Sequence, residues 1–131
     1  MVVSLSITGL YTSLLALLFV GLAMNIIRLR LQFKTGIGDG GHQALAKAIR
    51  VHGNFAEFIP LALLMLGIYE INGANPIALH LLGATLFIGR ILHAIGLSKT
   101  TGLSKQRQIG MVSLFIVILI LAVENIRLFI S

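Results

Sequence analysis

No charged residue precedes Arg28. The uncharged stretch Leu5–Ile27 is long enough to cross the hydrocarbon core of a bilayer as one helix. A small soluble domain has too little interior to hide such a segment. The stretch reads as a retained span and not as a cleaved leader, because no basic residue stands ahead of it and the run is too long. The rest of the chain has the same character. Of its 131 residues, 57% are hydrophobic and 11% charged. That charged share is under half of what a soluble domain carries. An integral membrane protein of one domain, residues 1–131, is the expectation.

Punctuation along the chain predicts four spans: 5–28, 43–71, 76–97 and 106–129. Residues 34–42 hold four glycines and form a loop. In the second span the uncharged run Phe58–Tyr69 has only 12 residues, so the helix must take in the polar stretch before it, with Pro60 kinking it. Asn72–Asn75 is a turn, and Pro76 suits a first helical position. The fold class predicted is all-α, a membrane four-helix bundle.

Ten Lys and Arg against four Asp and Glu give a net charge of +6. The cations gather at the loops joining spans 1–2 and 3–4, whereas the loop between spans 2 and 3 has none. By the positive-inside rule both basic loops are cytoplasmic and both termini lie outside. The charge is therefore assigned to topology, and no nucleic-acid partner is expected. The chain has no cysteine, so any thiol chemistry must come from a substrate.

Ionisable groups interrupt the spans, and such groups are costly in lipid. Lys47, Arg50, Asn54 and Glu57 fall on one stripe of the second helix. Arg90 and His93 share a face of the third. Arg28 closes the first, one turn after Asn25, and Arg107 opens the fourth. By topology all lie in the cytoplasmic half. The set is cationic with one carboxylate, Glu57, and suits an anionic amphipathic ligand. Two readings stand level: a network locking the bundle, with Glu57 on Arg50 or Arg90, or a ligand site. Arg50 and Glu57 are two turns apart, which is poor for pairing within one helix and favours partners on other helices or a ligand. Elsewhere, Glu124 and Arg127 are read as an interfacial ion pair. Glu70 is read as surface, His80 as a satisfied interfacial histidine and His42 as solvated. Gly83, Gly89 and Gly96 permit close helix approach. Four scattered histidines without acidic neighbours give no metal site.

The run Arg50-Val-His52-Gly-Asn54-Phe-Ala-Glu57-Phe-Ile-Pro60 resembles the second-helix signature of the MAPEG superfamily, membrane-associated proteins in eicosanoid and glutathione metabolism. Arg28-Leu-Arg30 and Arg90-x-x-His93 match it too, and the likeness covers nearly the whole chain. The Gly38-Asp39-Gly40-Gly41 loop looks closest to small bacterial inner-membrane members. The resemblance implies a homotrimer with glutathione as cosubstrate, held between subunits near the cytoplasmic face. It implies that Arg28 of one subunit meets a glutathione carboxylate. Arg50, Asn54 and Glu57 would come from the next subunit, with Glu57 on the glutathione amino group. Arg90 and His93 line the site in this reading, and Arg107 stabilises the thiolate. A guanidinium beside a thiol favours its ionised, nucleophilic form. The chain departs from the family at Leu97, where the enzymes often carry a tyrosine that contacts glutathione.

The function implied is a glutathione transferase or peroxidase acting on lipophilic electrophiles or lipid hydroperoxides drawn from the membrane lipids. Its rival is a non-catalytic lipid- or partner-binding protein on the same scaffold. A small proton-coupled multidrug transporter ranks lower, since such transporters use a membrane-embedded acid in the first helix and residues 1–27 have none.

Overall fold

A computed structural model describes residues 3–99 and 104–131, and the side chains of all of these except 97–99. It contains four helices: α1 (Ser6–Phe33), α2 (Gln43–Ile71), α3 (Pro76–Lys99) and α4 (Lys105–Ile130). All four are long and apolar enough to cross a membrane. The predicted bundle is present, with α1 running beyond Arg28 to Phe33 and α2 continuous across Pro60.

Each boundary has a local cause. Lys34 ends α1 in the left-handed conformation, with φ 52°, and the Thr35 N–H closes the turn on the Arg30 carbonyl at 3.0 Å. The Arg30 guanidinium then donates to the carbonyls of Thr35 (3.2 Å) and Gly38 (2.9 Å), tying the loop to the helix that enters it. Gly38, Gly40 and Gly41 all take positive φ there, which explains the glycine run. His42, half-exposed, stacks one ring face on Phe33 at a centroid distance of 4.0 Å, a contact not expected from sequence. At the second loop the Asn75 side chain accepts the Ile77 N–H at 2.8 Å, and Pro76 opens α3. Ser104 caps α4 by accepting the Arg107 N–H at 3.2 Å.

Packing fixes the directions. Helix α2 touches all three others, whereas α1 and α4 make no contact among the described residues. The core is a column of aliphatic and aromatic side chains, including Leu15, Phe55, Ile59, Leu66, Leu86 and Leu114. Large apolar side chains such as Leu17, Leu64 and Leu119 point outward. That is the arrangement of a bundle whose solvent is lipid.

Helices α3 and α4 come closest. A Cβ on Gly110 would stand 2.6 Å from the Gly89 carbonyl and 2.7 Å from the His93 Cβ. One on Gly96 would stand 2.6 Å from the Arg107 backbone nitrogen. Gly83 faces the Tyr11 ring just as tightly. The close approach expected at Gly83, Gly89 and Gly96 is therefore present, with Gly110 as its unforeseen counterpart on α4.

At the end holding both termini, Glu70 corrects its expected role. Its carboxylate accepts the N–H groups of Ile7 (3.1 Å) and Thr8 (2.8 Å), so α2 caps α1 from outside that helix. The first-turn N–H groups of α1 need such an acceptor, because its own N-cap residue, Leu5, has no side-chain hydrogen bond. Glu70→Gln is expected to lower stability by about 1 kcal/mol, since an amide offers one oxygen and no charge to two donors. Thermal unfolding in detergent reads this directly, and an unchanged midpoint would remove the capping role. The Tyr11 hydroxyl lies 2.8 Å from His80 Nδ1, which satisfies that histidine. Arg127 pairs with Glu124 at 2.7 Å, as expected, and the same carboxylate accepts the Tyr69 hydroxyl.

Candidate functional site

The candidate site residues lie toward the opposite end, where α1 and α3 finish and α2 and α4 begin, except Glu57, which stands at the middle of α2. They divide into a buried group and an exposed group.

Asn54, Arg90 and His93 are buried. Arg90 is 2% exposed and His93 1%. One Arg90 Nη is 3.3 Å from His93 Nδ1, and the guanidinium carbon lies 5.9 Å from the centre of the Phe55 ring. The other Nη reaches only Met111 Sδ, at 3.9 Å. Arg90 Nε and Asn54 Oδ1 are buried with no hydrogen-bond partner among the described residues. Among the described residues no carboxylate lies within ion-pair distance of Arg90. A buried cation without an anion, and a buried amide oxygen without a donor, are each electrostatically incomplete.

Arg50 and Glu57 form the exposed group. Contrary to the expectation from their spacing, they pair within α2. Arg50 Nη1 donates to Glu57 Oε1 at 3.1 Å and Nη2 to Oε2 at 3.0 Å. The span of about 10 Å is bridged because both side chains are long and lie along the helix. Both side chains remain about half exposed, at 52% and 51%.

The stripe read from sequence is thus split by the helical twist. Asn54 and Glu57 are about 60° apart around the axis, enough to bury one and expose the other. Arg28 is exposed and donates to Asn25 Oδ1 at 2.9 Å. It lines a concavity of about 410 Å³ with Asn25, Leu29, Gln43, Ala44, Lys47 and Ala48. Arg107 is half-buried in the first turn of α4, positioned by the Ser104 cap. Leu97's side chain lies outside the described residues.

The subunit therefore joins Arg90 to His93 and Arg50 to Glu57, and leaves Arg28 with Asn25. Sequence reading missed the supports. Phe55 and Met111 flank the Arg90 guanidinium, and Phe19 packs against His52 with the rings tilted by 31° and their centroids 4.5 Å apart. Ser104, three residues before Arg107 at a helix start, was a readable capping signal.

The chain is similar to known proteins along nearly its whole length. The model of the MAPEG family matches residues 8–127. The inner membrane protein YecN of Escherichia coli strain K12 is 35% identical over 120 residues, covering 92% of this chain and 90% of that protein. The YecN of Escherichia coli O6:H1 is similar to the same extent. A family match over nearly the full length, on four helices that can cross a membrane, identifies the chain as a multi-pass membrane protein of the MAPEG family.

Proposed function

We propose that the protein is a glutathione-dependent transferase or peroxidase that draws lipophilic electrophiles or lipid hydroperoxides from the bilayer. Glutathione would lie between subunits of a homotrimer, near the cytoplasmic face. The observation that carries this reading is the Arg50–Glu57 pair, half exposed on a membrane helix. Glu57 lies roughly 20 Å along α2 from its start, well within a span. Lipid is a poor neighbour for a charged pair there. A second subunit and a zwitterionic ligand supply what the pair lacks: a protein wall, a carboxylate for Arg50 and an ammonium for Glu57.

The remaining residues have matching tasks. Arg28 of the neighbouring subunit meets a second carboxylate. Asn54 and Arg90 offer a buried acceptor and donor that are unused within the subunit. His93 stands beside Arg90, and Arg107 faces the thiol. In transfer, the thiol proton leaves to water, the thiolate sulfur forms a bond to the electrophilic carbon, and the leaving group departs with the bond's electron pair. In peroxide reduction, two glutathiones give up two electrons to the O–O bond. The products are one disulfide, one alcohol and one water.

Addition of glutathione to the purified protein is expected to raise the ultraviolet absorbance of the thiolate, and Arg107→Ala to abolish that rise. The fold itself fits the rival reading, a lipid- or partner-binding scaffold, which Leu97 favours by removing a family contact. No absorbance change, no conjugation of a chloronitrobenzene and no heat of glutathione binding would decide for the rival.

A further inference from the structure

The concavity between the end of α1 and the start of α2 has a chemistry of its own. Two cations, Arg28 and Lys47, line it with Asn25 and Gln43, and neither has a carboxylate within ion-pair distance among the described residues. Its floor is apolar: Leu29 and Ala48 are buried there. Helix α2 opens into it. Gln43 and Ala44 are its first residues, its N-cap His42 makes no side-chain hydrogen bond, and its first turn has no acid. The partial positive charge and free N–H groups of that turn thus add to the field of Arg28 and Lys47.

Its position in the membrane is set by α1. The uncharged stretch ends at Ile27, so Arg28 stands where hydrocarbon gives way to headgroups. An anion held here would be flanked by lipid tails on one side and by polar side chains on the other. We propose that this concavity binds the phosphate of an anionic phospholipid, with Lys47 and Arg28 as its cationic jaws, the first turn of α2 as donor and Leu29 with Ala48 beneath the first acyl carbons. Lys47 and Gln43 have no part in the glutathione reading. Arg28 is common to both, so glutathione must be a competitor in the test.

The test is native mass spectrometry of the protein in detergent, titrated with phosphatidylglycerol or phosphatidylcholine. The wild type is expected to retain phosphatidylglycerol in preference, with the preference falling as salt is raised. Each cation near a lipid surface contributes about fivefold. Lys47→Gln should therefore cut retention of the anionic lipid about fivefold, and Lys47→Gln with Arg28→Gln more. Lys34→Gln, a cation outside the concavity, should change nothing. Helix content by circular dichroism establishes that the variants are folded, and the salt series on the wild type gives the answer should they not be. Equal retention of both lipids, or a salt-independent preference, overturns the proposal, as does a folded Lys47→Gln that retains as much as wild type. Displacement by inorganic phosphate at matched concentration would assign the site to a soluble anion instead. Because Arg28 is shared, displacement by glutathione is read with Lys47: if Lys47→Gln weakens glutathione binding as much as it weakens lipid retention, the concavity belongs to the tripeptide, and either that result or displacement by phosphate overturns the lipid.

Discussion

Gly110→Val is expected to prevent formation of the native bundle, or to leave a protein that unfolds in mild detergent. The added Cβ alone would lie 2.6 Å from the Gly89 carbonyl and 2.7 Å from the His93 Cβ. Neither neighbour is the free end of a flexible side chain, so relief requires α3 and α4 to separate. In a membrane the association of helices rests on close packing rather than on the hydrophobic effect, and separation forfeits that packing along the whole seam. Overpacking by a single methyl costs about 1–3 kcal/mol in ordinary cores. Against backbone, a branched side chain should exceed this. Gly9→Ala and Gly21→Ala are the controls, since a Cβ at either meets nothing within 4 Å. They should be neutral or slightly stabilising through helix propensity. Thermal unfolding of the four proteins in one detergent checks the ordering. If Gly110→Val melted with the controls, the α3–α4 seam would not be what holds this end together.

The same seam shows what the sequence could and could not reveal. Gly83, Gly89 and Gly96 could be read as sites of close approach because small residues on a membrane helix have few other uses. Gly110 was hidden because a glycine near a helix start has several meanings, and only the partner helix chooses among them. Spans were legible from charge and length: Pro76 opens α3 as read, whereas Arg28 marked the end of the apolar run and not of the helix, which continues to Phe33. Side-chain pairing was not. Spacing argued against an Arg50–Glu57 bond, and it forms because both side chains are long enough to meet along the helix over two turns. Glu70 looked like a surface acid because the donors it satisfies belong to α1, more than sixty positions away in the chain. The chemistry-bearing residues were visible as costly intrusions in apolar helices. Their division into a buried and an exposed group was not, because one turn of helical twist decides it.

Arg90→Met is expected to raise the stability of the ligand-free protein while removing its response to glutathione. Arg90 is fully buried, yet among the described residues its guanidinium meets only a histidine nitrogen, a thioether and an aromatic ring, and its Nε has no hydrogen-bond partner. Glu57, the carboxylate that could have joined it, is turned away to Arg50. Burying a charge without a counter-ion is destabilising, and replacing buried ionic groups by apolar ones of similar volume has given gains of about 1–4 kcal/mol elsewhere. Methionine fills much of the same space and suits an irregular gap beside Met111. A residue that destabilises its own fold is explained if an anion completes it when bound. Wild type should therefore melt higher with glutathione than without, and Arg90→Met should melt at one higher temperature in both conditions. The two arms separate the roles. A large fall in the ligand-free midpoint would make Arg90 a structural post of the bundle. A variant that still gained stability from glutathione would place the anion's partner elsewhere, at Arg50 or Arg28, and leave the buried cation without a function in binding.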